Sequence, residues 1–133
     1  MKVYQATNMI YGIGIDLVQI SRIESAVKRW GDRFVERVFT KSEIAYCHSK
    51  ARIGPRLALR FAAKEAFAKA LGSGFRQGLG FRQIEVENDS WGRPVLRLHG
   101  KSKEVCQGCG ITKSHLSLSD DGLYAIAMVL LEQ

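Results

Sequence analysis

The sequence predicts an α+β fold, a single domain with helices packed on an antiparallel sheet. Three features point there. Apolar runs rich in β-branched residues lie near the start and in the last third of the chain. The middle carries apolar residues at helical spacing, and clusters of Gly, Pro and Asp separate the segments. At 133 residues the chain is long enough to bury a core of its own, and no linker, repeat or low-complexity tract divides it.

Taken in order, "MIYGIGIDLV" (9–18) reads as a strand punctuated by glycines, ended by Asp16 and running into a turn. "QISRIESAVKRWG" (19–31) places Ile20, Ile23, Val27 and Trp30 at helical spacing, with Arg22, Lys28 and Arg29 opposite and Gly31 as the stop. "DRFVERVF" (32–39) predicts a second short helix with Asp32 as its N-cap. Thr40 followed three residues later by Glu43 is a capping-box pattern. Pro55 suits the first turn of a long helix ending near Leu71, and "GSGFRQGLG" (72–80) is a glycine-rich loop. "FRQIEVEN" and "VLRLHG" form a strand pair around the turn "DSWGRP", and "KSKEVCQGCG" is a helical segment closed by glycine. "SHLSLS" (114–119) alternates, putting His115, Ser117 and Ser119 on one face. "GLYAIAMVLL" (122–131) is apolar on both faces and is expected to be a central strand buried on both sides.

Composition excludes several classes. No apolar run approaches the roughly 18–20 residues that span a bilayer, so no membrane association is expected. The opening "MKVYQATNMIYGIGID" is a poor export signal. Cys47, Cys106 and Cys109 are an odd count, which argues against a disulfide framework and for a cytoplasmic setting. The Cys106/Cys109 pair lacks the further ligands of a zinc site. A net charge of +7 points to anionic partners without choosing among nucleic acid, a phosphorylated cofactor and an acidic protein.

The chemistry concentrates on "RFAAKEAFAKALGSG" (60–74). On a helical wheel Glu65 and Lys69 fall among Leu57, Ala58, Phe61, Ala62, Ala66 and Ala68, while Arg60 and Lys64 occupy a separate arc. An intrahelical Glu65–Lys69 pair is worth only about 0.2–0.5 kcal/mol, a weak reason to put two charges on an apolar surface. The alternative is a wet, anion-binding cleft. Asp16, after two glycines that permit close approach, either caps the next helix or adds a second carboxylate. Asp plus Glu is a common protein share of a Mg²⁺ site. His115 is either a surface imidazole or a phosphate contact. The basic residues of the first two helices are a solvated face or a dock for an acidic partner.

These pieces resemble one family. "GIGIDLVQISRI", "RFAAKEAFAKALGSG", "NDSWGRPVLRL" and "HLSLSDDGLYAIAMVLLE" follow one another as in bacterial holo-acyl-carrier-protein synthases, the small phosphopantetheinyl transferases, over residues 9–132. Residues 1–8 then read as an N-terminal extension, with Met9 an alternative start, and 9–133 as the transferase domain. The resemblance implies Mg²⁺-dependent transfer of 4′-phosphopantetheine from coenzyme A to a serine of apo acyl carrier protein, releasing adenosine 3′,5′-bisphosphate, in fatty acid biosynthesis. It implies Asp16 and Glu65 as metal ligands and, with Lys69, as the catalytic residues. Arg60, Lys64, Lys69, Gly72, Gly92, Pro94 and His115 match coenzyme A-binding positions, and Arg22, Arg29 and Arg33 match positions facing the carrier protein. A homotrimer with interfacial sites is implied too. Asp120 stands where many relatives have histidine, so no role carries over to it. The rivals are a small basic RNA-binding module, disfavoured by unclustered aromatics, and an inactive carrier-protein scaffold, disfavoured by intact Asp16, Glu65 and Lys69. No nucleic-acid partner is expected.

Overall fold

The computed structural model describes residues 9–76 and 78–133; the extension expected at 1–8 lies outside the described residues. The elements are β1 (Ile10–Gln19), α1 (Ile20–Trp30), α2 (Asp32–Val38), α3 (Lys41–His48), α4 (Ile53–Leu71), a 3₁₀ turn (Phe81–Gln83), β2 (Ile84–Asn88), β3 (Pro94–Leu98), α5 (Gly100–Gly108), β4 (Lys113–Asp120) and β5 (Tyr124–Glu132). An antiparallel sheet runs in the order β1-β5-β4, and β2 and β3 form a separate hairpin. The expected fold class is the one observed.

The capping box of α3 forms as its spacing indicates, with Glu43 N donating to Thr40 Oγ1 and Thr40 N to Glu43 Oε1. Asp32 does not cap α2. Gly31, at φ 56°, both ends α1 and precedes α2, so Asp32 is already helical and its carboxylate sits in the first turn, where the helix dipole favours it. Gly72 closes α4 in the left-handed region (φ 89°), and Phe75 in the following loop stacks on Phe81, 4.1 Å between ring centres.

Helix α4 is the centre of the molecule: fourteen of its nineteen residues are buried, so each polar group on it needs a partner. It packs against the face of the sheet that carries Ala125, Ala127, Val129 and Leu131, all fully buried. Along β1 that face belongs to Gly12, Gly14, Asp16 and Val18, paired with Leu131, Val129, Ala127 and Ala125. A Cβ on Gly12 or Gly14 would fall inside the carbonyl oxygens of Ala70 and Ala66. Strand and helix therefore meet backbone to backbone.

The expectation that β5 is buried on both faces needs correction. Its position is central, but burial alternates along it, and only the helix-facing side is covered. On the other side Ile13, Ile15 and Leu17 remain 58%, 54% and 61% exposed beside Met128. Apolar content had no way to reveal which faces a single chain can cover.

Two glycine-to-alanine changes should act in opposite directions. Gly14→Ala overpacks the β1–α4 contact and is expected to cost about 1–3 kcal/mol or more. Gly108→Ala, at the end of α5 with nothing within 4 Å of the new methyl, should be neutral or stabilising by up to about 1 kcal/mol. Urea denaturation midpoints check both.

Candidate active site

The two-glycine approach of β1 decides where Asp16 emerges. Two residues beyond Gly14 on the same face, it meets α4 at the level of Glu65 and Lys69. Lys69 Nζ donates to the Ile15 carbonyl at 3.0 Å and to Asp16 Oδ1 at 3.1 Å. Among the described residues its ion pair is therefore with β1, across the contact, and not along its own helix. The Asp16 side chain is 16% exposed and that of Lys69 is 55% exposed, so the group opens to solvent on one side. Burial pushes the half-buried Glu65 carboxyl up from the ordinary range, and the nearby Asp16 charge pushes it further; Lys69 offsets part of this. Two carboxylates held close enough to repel, with one ammonium for both, leave negative charge for a cation to neutralise. Mg²⁺ commonly takes one or two carboxylates plus water and phosphate oxygens, so this donor pair fits it.

Lys64 is elsewhere. Its expected place at a cofactor is contradicted: the side chain is fully buried, and Nζ donates to Glu43 Oε1 (2.7 Å), Val38 O (2.8 Å) and Phe81 O (3.0 Å). Glu43 in turn accepts from Val86 N at 2.9 Å. All three ammonium protons are used, so none remains for a phosphate. The spacing of Arg60 and Lys64 suggested a shared anion, but it cannot show that a glutamate 21 residues earlier satisfies one of them. Desolvation lowers the Lys64 pKa, opposed by Glu43.

Arg60 is also buried, with Nη2 on Asn88 Oδ1 at 3.2 Å and its guanidinium 4.2 Å from the Tyr46 ring centre. Its Nε has no protein partner. It lines a cleft of about 290 Å³ with Ser42, Tyr46, Val86, Glu87 and Asn88. Pro94 and His115 share a second cleft, about 460 Å³, with Asp89, Arg93, Ser114 and Ser117. His115 Nε2 lies 2.7 Å from Glu132 Oε2. Gly92 (φ 84°) shapes the adjoining turn, where a side chain would be strained. Sequence reasoning missed Ser114 as a wall of this cleft, Asn88 as the Arg60 partner and Glu132 as the His115 partner. Only Arg93, inside the "GRP" turn, carried a local signal.

The structure does not gather every expected residue. Asp16 is on β1 and His115 on β4, the two edges of the sheet, two strand spacings or about 10 Å apart across it and, opposite Ala127 and Leu130 of β5, a further three residues or about 10 Å apart along it. His115 sits in the row of Ile13 and Leu130, the uncovered face, whereas Asp16 faces the helix. Arg22, Arg29 and Arg33 are exposed on α1 and α2, and Arg33 lines a groove with Trp30, Phe34 and Arg37. The three cysteines are free, and among the described residues no group of three or more His, Cys, Asp or Glu is gathered.

The family model for the 4′-phosphopantetheinyl transferase superfamily matches residues 12–129. The chain belongs to that superfamily. Within it, a holo-acyl-carrier-protein synthase of Koribacter versatilis is 48% identical over 124 residues, 93% of this chain and 99% of the relative. The holo-acyl-carrier-protein synthase structure from Neisseria meningitidis superposes with a TM-score of 0.88 at 38% identity, over 94% of this chain and all of the other. The Helicobacter pylori synthase, solved in complex with coenzyme A, gives 0.79 at 39% identity, over 90% of this chain and 98% of the other. Members of the family thus share this chain's topology nearly end to end.

Lys64→Met would leave Glu43 as an uncompensated buried charge and take the ammonium donor from the Val38 carbonyl. It is expected to cost about 3–5 kcal/mol, a loss read from the chemical denaturation midpoint.

Proposed function

We propose that this chain is a holo-acyl-carrier-protein synthase: it transfers the 4′-phosphopantetheine arm of coenzyme A to a serine hydroxyl of apo acyl carrier protein. The observation that carries this is the meeting of Asp16, Glu65 and Lys69 at one solvent-open point, in a chain whose relative of the same fold holds coenzyme A.

Asp16 and Glu65 would hold Mg²⁺, which when bound supplies positive charge to the pyrophosphate and orients it. The remaining work falls to the chain. Lys69, tethered to the Ile15 carbonyl and to Asp16, presents an ammonium where the leaving 3′,5′-bisphosphate gathers charge. The raised pKa of Glu65 means that its metal-binding form is depleted by acid earlier than that of an ordinary carboxylate. Mg²⁺ affinity of the metal-free protein should therefore fall on acidification from a pH above the usual carboxylate range, read by titrating the ion at several pH values. The serine proton would pass to one of these carboxylates or to a water held beside them.

Arg93, Pro94 and His115 would bind the nucleotide end of coenzyme A. In one chain they lie across the sheet from Asp16, so a second copy would complete each site. The uncovered Ile13, Ile15, Leu17 and Met128 favour that association, and we read the assembly as a homotrimer. Arg22, Arg29 and Arg33 would face the acidic carrier protein. A cytoplasmic setting suits three free cysteines. Among the described residues no helix is long and apolar enough to cross a membrane.

Intact-mass spectrometry of apo acyl carrier protein incubated with this protein, coenzyme A and Mg²⁺ tests the reaction. The expected result is a gain of one phosphopantetheine that EDTA abolishes; no gain with folded protein would refute it. Lys69→Ala should lower kcat by on the order of 100-fold. Because the side chain is largely exposed, its unfolding free energy should move by less than about 0.5 kcal/mol.

A further inference from the structure

Cys106 and Cys109 have no part in the proposed transfer, yet the fold builds a site around them. Cys106 lies buried on α5, and Cys109 is the half-buried residue that closes the helix. Residues three apart share one helix face, with Cβ atoms about 5–6 Å from each other. A disulfide needs about 3.5–4.5 Å, so the last turn has to tighten by about 1–2 Å. The turn has room to do so. Cys109 stands outside the regular helix, and nothing lies within 4 Å of where a Cβ on Gly108 would point.

A second element is aimed at the pair. Ile10 pairs with Glu132 and Gly12 with Leu131, which leaves Tyr11 as the extra residue of a bulge in β1. Bulges re-aim a side chain, and here the Tyr11 hydroxyl donates to Cys109 Sγ at 3.4 Å. Gln133 Nε2 donates to the Cys109 carbonyl at 2.9 Å, and Gln133 N to the Met9 carbonyl at 2.8 Å. The end of the sheet thus holds both the sulfur and the backbone of Cys109. The carbonyl end of α5 opposes a thiolate there, so the Tyr11 hydroxyl is the donor that favours one. Burial, and then the charge of Cys109, push the Cys106 thiol up to about 11. Cys106 therefore keeps its proton while Cys109 reaches solvent. Cys47 is fully buried in the core and serves as an internal control.

We propose that Cys106 and Cys109 are a redox-modification site, a dithiol that low-molecular-weight disulfides convert into an intrachain disulfide, with Cys109 attacking first. The Cys109 thiolate attacks one sulfur of the small disulfide, forming a mixed disulfide and releasing one small thiolate, which takes up a proton. Cys106 then gives its proton to solvent and attacks the Cys109 sulfur. The Cys106–Cys109 bond forms as the second small thiolate leaves and is protonated in turn. Two cysteine thiols are oxidised by two electrons in all, and one small disulfide is reduced to two thiols. The first step removes the Cys109 charge that opposed ionisation of Cys106, so it prepares the second. Thiols that open a helix gain a thiolate stabilised by the dipole; these close one, and their disulfide is the weaker oxidant for it. The modification does not depend on the transfer reaction.

The experiment treats the full chain with oxidised glutathione, quenches it in acid, unfolds it with N-ethylmaleimide and measures intact and tryptic masses. The reduced protein should take three labels, one per cysteine. The oxidised protein should take one, on Cys47, with the peptide Glu104–Lys113 unlabelled and lighter by two hydrogens; dithiothreitol should restore all three. Cys106→Ala should retain one glutathione on Cys109, and Cys109→Ala should take up none, both with the circular dichroism spectrum of the unsubstituted protein. Tyr11→Phe should form the same disulfide severalfold more slowly. Three labels after oxidation, a glutathione that stays on Cys109 in the unsubstituted protein, or a disulfide between two chains would each overturn the proposal.

Discussion

The structure depends on the contact of strand β1 with helix α4 at the distance of bare backbones. Gly12 and Gly14 rest on the carbonyls of Ala70 and Ala66, with no side chain between them. Alanine opposite glycine is the pairing that allows this, since any Cβ on the strand would occupy a carbonyl oxygen's place. The consequence is positional. Asp16, next on the same face, is delivered to the level of Glu65 and Lys69, and the bond from Lys69 to the Ile15 carbonyl ties the two elements together there.

Helix α4 then separates its charges by rotation alone. Lys64 and Glu65 are neighbours about 100° apart on the wheel, yet one is fully buried and the other borders solvent. Lys64 is spent on Glu43 and two carbonyls, joining the ends of α2 and α3 and the 3₁₀ turn to the helix. Glu65 keeps a carboxyl raised by burial and by Asp16. The buried pair fixes the orientation of the helix, and the open cluster inherits that orientation. Ion pairs of these two kinds contribute differently: the first is costly to break, the second is worth little to stability and is available for ligands.

Much of this was legible in the sequence because it is local. Strand alternation, the Thr40–Glu43 box, the end of α4 at Leu71 and the "GRP" turn all follow from residues within a few positions of one another. The glycines and the oddity of charge on an apolar face left the juxtaposition of Asp16 with Glu65 as one of two readings, and the family resemblance implied it. What escaped was long-range. Lys64 looked available because its partner, Glu43, is remote in the chain and was already assigned to a cap. The open face of β5 looked buried because apolar content does not distinguish a core from an uncovered apolar face.

The central claim is that the β1–α4 contact builds a two-carboxylate cation site, and direct metal binding tests it best. Mn²⁺ electron paramagnetic resonance on the protein with coenzyme A should show one bound ion per chain. Glu65→Gln and Asp16→Asn should each weaken that binding by more than about tenfold, with the circular dichroism spectrum unchanged. Mn²⁺ binding that survives both substitutions at full strength would contradict the claim.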